Sequence, residues 1–369
     1  MSVRSVTPNQ LFKLFAMHLF TTMIAFMLGI MLQASYYNAP LGIALGSLLG
    51  LAFAFFACRL GLRRPDRFFV DYGAEIVGKW LHYPLLLFLA ASNLLIGIIN
   101  FWELQDFLIQ FYLVNTPPWA IVALCGLCIA YTVRFGVNSV FRAAEGIFLI
   151  SLLSFLLIPF LVGDSYNWFA LRGLATHFNP REAWPAAYYT LSVFGELSFV
   201  LLIFPYLSSP AATFRSLAAA AAVASSVVLF HTVPLLLIFG PELSSNLNYP
   251  ELELLRFTRS GSFLETLDPA LIALWVISLF VKLAFIVFNI SLITTRMFKL
   301  KDMKPFVFPI TVFISACSLV VVRSNVQFHS LITGGILTVF TISELIPFLY
   351  YVVDSIRFGR GKRKGTAGR

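Results

Sequence analysis

The chain has 369 residues, of which 59% are apolar and only 12% are charged. Its mean hydropathy of +0.86 lies far above the value that a water-soluble domain of this length tolerates. This composition excludes a soluble protein and predicts a polytopic membrane protein. The apolar runs are each roughly 20 residues long, which suits helices and is too long for barrel strands, so the predicted fold class is all-α.

Ten apolar runs follow one another, and each is expected to form one transmembrane helix. The runs belong to a single transmembrane domain, 1–369, and a basic tail, 358–369, follows the last one. The third and eighth runs are longer than a bilayer needs, so we expect them to tilt or to project beyond it. The runs cover residues 10–34, 41–58, 81–112, 119–133, 141–162, 184–207, 215–239, 268–297, 305–322 and 331–357.

The distribution of lysine and arginine predicts the orientation. With ten spans both termini lie on one side, and 20 of the 26 basic residues fall in the termini and loops of that side. Five fall in the opposite loops, and Lys282 lies within a span. The positive-inside rule therefore places both termini in the cytoplasm. Topology thus accounts for the net charge of +9, and we expect no nucleic-acid partner. The tail either contacts anionic membrane lipid or is simply solvated.

Six residues are the main candidates for charges inside the predicted spans, where a charge at mid-membrane costs about 2.5 to 3.5 kcal/mol and should face a partner inside the protein. Lys282 is the base set well inside a span, and it could pair with Glu196 or with Glu103. A buried ion pair is one interpretation; the other is that a carboxylate meets the ammonium group of a ligand. His18 and His231 are interpreted as hydrogen-bonded core histidines. The six residues are Glu103, Asp106, Glu145, Glu196, Lys282 and Glu344.

Two of the spans carry residues that weaken helix continuity. The sixth, in the stretch TLSVFGELSFVLLIFPYL, has Gly195 beside Glu196 and then Pro205, while the first has Thr21 and Thr22 at mid-span. Glycine weakens a helix and proline removes a backbone hydrogen bond, so backbone groups become free to meet a ligand. If the ten helices form a 5+5 inverted repeat, the broken first and sixth helices occupy equivalent central places.

Two longer loops, 163–183 and 240–267, are predicted to face outward. In the second, apolar residues recur at near-helical spacing among charged residues, which predicts short amphipathic helices over the membrane face. Such helices could gate a ligand path, dock a partner or only link two spans. The apolar residues are Leu252, Leu255, Phe263, Leu264 and Leu267.

The sequence holds no nucleotide-binding loop, metal motif or nucleophile-base array. We therefore predict no enzymatic activity, no cofactor and no metal site. Cys125 and Cys128 have the C-x-x-C spacing, but zinc needs further ligands and a redox pair needs a polar, accessible setting. These cysteines, the stretch from Gly42 to Gly50 and the pair Gly334-Gly335 are interpreted as positions of close helix packing.

Several stretches taken together resemble a known family. They are VTPNQLF, DYGAEIVGKWL, NTPPWAI, AYTVRFGVNSVFRAAEGIF, FGELSFVLLIFPYL and the run from FGPEL to LETLDPALIALWVISLFVKLAF. On these residues the chain resembles the B subunit of bacterial nutrient germinant receptors, spore germination proteins related to the amino acid-polyamine-organocation transporters. Where that family usually has glycine in the first span, this chain has Phe20-Thr21-Thr22.

The resemblance implies a ten-span transporter-like fold whose central pocket senses an amino acid or a similar small nutrient. It also implies work in the spore inner membrane with a larger membrane A subunit and a C-subunit lipoprotein. Carried over by position, it places the ligand-binding pocket on the first, third, sixth and eighth spans, at Thr21, Thr22, Ile99, Asn100, Glu103, Phe194, Gly195, Glu196, Val281 and Lys282.

Three functions are open on this sequence. The leading interpretation is a nutrient sensor, in which the bound ligand selects one conformation and passes that bias to partner subunits. The first alternative is a working amino acid permease, because a sensor and a transporter can share one pocket. The second is a ligand-blind scaffold subunit, for which the missing first-span glycine argues.

Overall fold

The computed structural model describes residues 5–162, 166–247, 249–257 and 268–364. The first half of the chain forms α1 (Pro8–Thr22), α2 (Leu28–Ser35), α3 (Ala39–Arg63), α4 (Phe69–Val77), α5 (Lys79–Phe111), α6 (Pro118–Arg134), α7 (Val137–Leu161), α8 (Leu171–Thr176) and α9 (Trp184–Phe194). The second half forms α10 (Val200–Ile203), α11 (Thr213–Ile238), α12 (Gly240–Asn246), α13 (Pro250–Phe257), α14 (Asp268–Met297), α15 (Lys304–Val321), α16 (Asn325–Leu331), α17 (Leu337–Glu344) and α18 (Ile346–Lys364). These ranges contain no β-strand, so the all-α class is confirmed.

Eight stretches of the described residues are long and apolar enough to cross a membrane. One of them, Pro8–Arg63, contains two of the predicted runs, and the shorter apolar helix α6 lies on a further run. The apolar windows of Trp184–Tyr206 and Ile272–Met297 are each 83% buried inside the protein, whereas that of Lys304–Val321 is 22% buried. The sixth and eighth runs therefore form the centre of the bundle, and the ninth lies at its periphery.

The first and sixth runs are both interrupted at mid-length. Between α1 and α2 the chain makes one π-helical turn, Met23–Met27, and between α9 and α10 it makes a 3-10 helical turn, Gly195–Phe199. Both kinds of turn change the hydrogen-bond spacing of a helix, and π turns in particular recur at functional sites. Every residue of the two turns is buried, so the altered backbone lies inside the protein and not in lipid.

Glycines let α3 pack closely against α9. A Cβ atom added to Gly42, Gly46 or Gly50 would come within 3.0 Å of α9 or of the residue before it, which is closer than real Cβ contacts. Close helix packing was the wrong interpretation for the pair Gly334-Gly335. A Cβ atom on Gly334 would meet nothing within 4 Å, and Gly335 has a left-handed φ of 105° that interrupts the tenth run between α16 and α17.

Replacing Gly46 by alanine is expected to lower the free energy of unfolding by about 1 to 3 kcal/mol, the usual cost of extra volume in a packed core. The new methyl group would collide with the carbonyl oxygen of Ala187. The matched control is Gly146→Ala in α7, where nothing lies within 4 Å of the added atom. Thermal unfolding of the detergent-purified variants measures both, and equal Tm values would contradict the close helix contact.

The two predicted outward loops are partly helical. The first contains α8 and is tied to the start of α3, because the side-chain amide of Asn38 donates to the carbonyl oxygen of His177 at 3.0 Å. The second contains α12 and α13, so the amphipathic pattern that starts at Leu252 does form a helix. Other predicted features fall outside the described residues: Phe263, Leu264 and Leu267 of the pattern, and 365–369 of the basic tail.

Candidate functional site

Glu196 lies at the centre of the bundle, in the turn between α9 and α10, and only 3% of its surface is exposed. Its Oε1 atom accepts a hydrogen bond at 3.1 Å from the ammonium group of Lys282 on α14. Its Oε2 atom is hydrogen-bonded to Nε2 of His18 on α1. The carboxylate therefore joins the first, sixth and eighth runs through two buried contacts.

Lys282 completes this buried network. The residue is 1% exposed, and its ammonium group also donates to Oγ1 of Thr22 at 2.6 Å, where α1 passes into the π turn. A buried charge is tolerated only when it is paired and hydrogen-bonded, and here one positive and one negative charge compensate each other. Of the two partners that the sequence allowed for Lys282, the structure brings Glu196 into contact and leaves Glu103 apart.

Two further carboxylates are buried near this network. Both oxygens of Glu103 on α5 and both oxygens of Glu344 on α17 lack a hydrogen-bond partner in the part of the chain that the structure describes. Each carboxylate lies within electrostatic range of Lys282 and Glu196. Glu344 reaches this place because Gly195 has no side chain, and a Cβ atom there would collide with its carboxylate. The centre thus holds three acidic side chains and one lysine, and Glu196 is the acid that pairs with the lysine.

Uncharged polar atoms without partners lie on the same helices. Oγ1 of Thr21, Oδ1 of Asn100 and Oγ of Ser198 are buried and make no hydrogen bond to the described residues. Thr21 adjoins Thr22 of the network, and Asn100 lies one helical turn before Glu103. A buried polar atom left unpaired costs about 1 to 3 kcal/mol, so such a group of atoms indicates a place for water or a polar ligand.

The ten residues predicted to bind a ligand are all buried, and they fall into distinct groups. Three of them are joined by hydrogen bonds of Lys282, which donates to both of the others: Thr22, Glu196 and Lys282. Three keep unpaired polar atoms: Thr21, Asn100 and Glu103. Three lie beside these in the chain: Ile99, Gly195 and Val281. The tenth, Phe194, places its Cβ atom against Gly50 of α3.

Two central residues were not among the predicted ligand contacts. His18 meets Glu196 across 178 residues of sequence, and Glu344 meets Gly195 from the tenth run. Sequence spacing carries no information about such contacts between distant helices. The signal that could have added Glu344 was its position in an apolar run, where an acid is costly unless it serves a site.

Two other acids predicted inside spans lie away from the centre. Asp106 accepts hydrogen bonds from the hydroxyl of Tyr249 and from the side-chain amide of Gln110, both at 2.7 Å. Glu145 pairs with Lys13 at 3.3 Å, and 38% of its side chain is exposed. Both carboxylates are therefore satisfied by the protein itself.

A cavity of about 360 Å³ opens beside the centre, between α2, α5, α12 and α16. Its wall includes Trp102, the neighbour of Glu103 in the chain. Trp102 stacks on Phe328 of α16 with ring centroids 5.0 Å apart, and the amide oxygen of Gln33 is 2.7 Å from Nε2 of His329. These two contacts join the first and third runs to α16 along the wall of the cavity.

His231 and Glu251 fasten α13 to the seventh run. Nδ1 of His231 lies 2.5 Å from Oε2 of Glu251, and Nε2 lies 2.9 Å from the carbonyl oxygen of Phe155. Both ring nitrogens of His231 are therefore engaged, one by Glu251 of α13 and the other by the backbone of the fifth run, and these contacts attach α13 to the bundle.

The described residues offer no metal-binding donor set. No group of three or more His, Cys, Asp or Glu side chains in these ranges is placed to hold a metal ion. Cys58, Cys125, Cys128 and Cys317 are free thiols.

Comparisons with known proteins cover most of the chain. The spore permease family model, described as "Spore germination protein", matches residues 5–326. The chain belongs to the spore germination protein family. It is similar to spore germination protein YndE of Bacillus subtilis (strain 168), with 24% identity over 280 residues that make up 71% of this chain and 72% of the relative. It is also similar to spore germination protein XB of Bacillus anthracis, with 24% identity over 215 residues, 58% of this chain and 59% of the relative.

Solved transporter structures share the fold of this spore germination protein. MhsT in complex with L-phenylalanine has a TM-score of 0.68 at 13% sequence identity, and the alignment covers 91% of this chain and 88% of the MhsT chain. A Na⁺-coupled sialic acid symporter has a TM-score of 0.67 at 15% identity, with 91% and 79% covered. Mhp1, a nucleobase-cation-symport-1 family transporter, has a TM-score of 0.62 at 14% identity, with 93% and 79% covered.

Identity this low establishes the fold alone, which this chain shares with these three transporters. Family and fold together make the chain a germination-related, permease-like multi-pass membrane protein. They point to a transporter or receptor rather than to an enzyme. The family also fits the B-subunit position of a germinant receptor.

Proposed function

We propose that this spore germination protein is the nutrient-sensing subunit of a germinant receptor. It binds an amino acid or a similarly small nutrient in its transporter-like core and triggers germination through a membrane A subunit and a C-subunit lipoprotein. It works in the spore inner membrane with both termini in the cytoplasm. The family match supports the germination role, and the transporter fold supports a core that accepts a small solute.

The unpaired polar atoms at the centre carry the ligand-binding part of the proposal. An amino acid is a zwitterion, so it brings donors and acceptors together. Its ammonium group would donate to the free carboxylate of Glu103 and to Oδ1 of Asn100, and its carboxylate would accept from the hydroxyl of Thr21. Each contact would satisfy an atom that has no hydrogen-bond partner among the described residues. A ligand would approach these groups from the cavity lined by Trp102, the neighbour of Glu103 in the chain.

Sensing would follow from the position of these groups between helices that can move apart. Glu103 belongs to the third run, whereas the paired charges of Glu196 and Lys282 join the sixth and eighth. A ligand that holds the third run against the first stabilises one arrangement of the bundle over others. That difference in affinity between arrangements is what a partner subunit can detect.

Spores in which this chain belongs to the sole germinant receptor provide the test. Each of the twenty standard amino acids is supplied singly, and germination is followed by the fall in optical density. We expect at least one amino acid to trigger germination, and the same one to raise the Tm of the purified receptor. Deletion of the A subunit should abolish the response. A receptor that answers none of the twenty, in either assay, would contradict amino acid sensing.

A working amino acid permease is the second candidate, and the transporter fold favours it. Proteoliposomes that contain this chain, supplied with the labelled amino acid found above, distinguish the two. Uptake above that of empty liposomes supports the permease, and binding without uptake supports the sensor. A ligand-blind scaffold subunit predicts a third pattern, in which germination requires the chain but no amino acid changes its Tm.

A further inference from the structure

A basic groove of about 570 Å³ lies between the end of α3 and the last helix, α18. The distribution of basic residues predicts that this end of α3 lies on the cytoplasmic side of the membrane. Three arginines line it together with one acid and two aromatic rings: Arg59, Arg63, Arg64, Asp354, Tyr351 and Phe358. None of the residues that line the groove belongs to the central network around Glu196, so the groove has no part in the proposed nutrient site.

The charges in the groove do not balance. Asp354 is 1% exposed and is hydrogen-bonded to Arg63 and to Arg64, the latter at 2.8 Å. Arg59 places its guanidinium carbon 5.0 Å from the ring centroid of Phe55, and it has no carboxylate partner among the described residues. Three positive charges therefore face a single negative one.

The groove also holds a donor without an acceptor. Nη1 of Arg64 is buried and makes no hydrogen bond to the described part of the chain. A guanidinium has five N–H donors and no acceptor, so arginines cannot satisfy one another. The excess of positive charge along the groove favours an anion with several acceptor oxygens. The planar fork of arginine matches the oxygens of a phosphate, which it can bind through two parallel hydrogen bonds.

We propose that this groove binds the phosphate group of an anionic lipid. Leu62 and Phe358 flank the arginines and are 39% and 49% exposed, so apolar surface lies directly beside the basic groups. A lipid matches both parts, because its phosphate meets the arginines while its glycerol and acyl carbons cover the apolar side chains. Anionic headgroups are recognised by basic pockets of this kind on the cytoplasmic side of membrane proteins.

The test is the binding of phosphatidylglycerol by the purified full-length protein. The protein is reconstituted in nanodiscs with graded fractions of phosphatidylglycerol in phosphatidylcholine, then extracted, and the bound lipid is counted by native mass spectrometry. We expect preferential retention of phosphatidylglycerol, and about a tenfold weaker apparent affinity for Arg59→Gln, the usual effect of losing one charged hydrogen bond. Arg59→Lys keeps the positive charge but loses the planar guanidinium group, so its apparent affinity for phosphatidylglycerol should lie between those of the wild type and of Arg59→Gln.

Arg134→Gln at the end of α6 is the matched control, since it removes the same charge far from the groove. Equal losses for Arg134→Gln and Arg59→Gln would overturn the proposal, because they would reduce the effect to net charge. Equal retention of the two lipids would overturn it as well. So would inorganic phosphate that binds without lipid and displaces phosphatidylglycerol fully, since the groove would then be a site for the free ion. An unchanged Tm for Arg59→Gln verifies that the variant is folded.

Discussion

Replacing Glu196 by glutamine is expected to remove most of the folded protein from the membrane. The glutamine keeps the size of the side chain but leaves the ammonium group of Lys282 without its negative partner. An uncompensated buried charge costs about 3 to 5 kcal/mol, a large part of the stability of a typical protein. His18, which meets the other carboxylate oxygen, would then face a neutral amide group in place of a carboxylate. Quantitative immunoblots of membrane fractions measure the amount of protein.

A second substitution separates charge from shape. Lys282→Met in the Glu196→Gln chain removes the unpaired ammonium group and should return the amount of protein close to that of the wild type. The matched control is Glu145→Gln, since the Lys13 to Glu145 pair is 22% and 38% exposed and pairs that are open to solvent contribute little to stability. Normal abundance of the Glu196→Gln single variant would show that the buried ion pair has no structural role.

The fold could be predicted from the sequence because long apolar runs in lipid leave few alternatives to helices. A helix lies on every predicted run, and α3 extends beyond its run as far as Arg63. The helices that were not predicted from the sequence are short or amphipathic. The helix α4 has nine residues and buries Phe69, Tyr72 and Ile76 on one face. Its opposite face carries Glu75, where hydrogen bonding to Arg67 lowers the pKa of the carboxyl.

The form of the helix breaks also escaped prediction. Glycine and threonine mark places where a helix is weak, but they do not say how the backbone will depart from α-helix. The first run has a π turn and the sixth a 3-10 turn, and the tenth is interrupted at Gly335, where close packing had been expected. Backbone geometry of this kind depends on the helices packed around it, as the tight fit of Gly195 against Glu344 illustrates.

The central residues could be predicted as a set but not as partners. An ionisable residue in an apolar run is costly wherever it lies, so Glu103, Glu196, Lys282 and Glu344 stand out from the sequence alone. The rotation of three helices about their axes decides which acid Lys282 meets. Successive residues of a helix point in directions about 100° apart, so a small difference in rotation exchanges one partner for another. The structure resolves this by pairing Lys282 with Glu196, which leaves Glu103 free for another partner.

Replacing Glu103 by glutamine should therefore act in the opposite way to the Glu196 substitution. Neither oxygen of Glu103 has a hydrogen-bond partner in the described residues, so its removal breaks no contact and the amount of protein should remain normal. If the carboxylate binds the ammonium group of an amino acid, the nutrient concentration for half-maximal germination should rise at least about tenfold. A charged hydrogen bond contributes roughly 1.5 to 3 kcal/mol, and each 1.4 kcal/mol is a factor of ten.

Germination assays on spores with a single receptor, read together with immunoblots, measure the two quantities independently. Glu145→Gln is again the control, because it removes an acid that is satisfied at the surface by Lys13. A Glu103→Gln receptor with normal abundance and an unshifted response would exclude Glu103 as a ligand contact. Reduced abundance with no shift per folded receptor would assign it a structural role instead. A shift at normal abundance would place the nutrient against the third run, beside the ion pair that holds the sixth and eighth runs together.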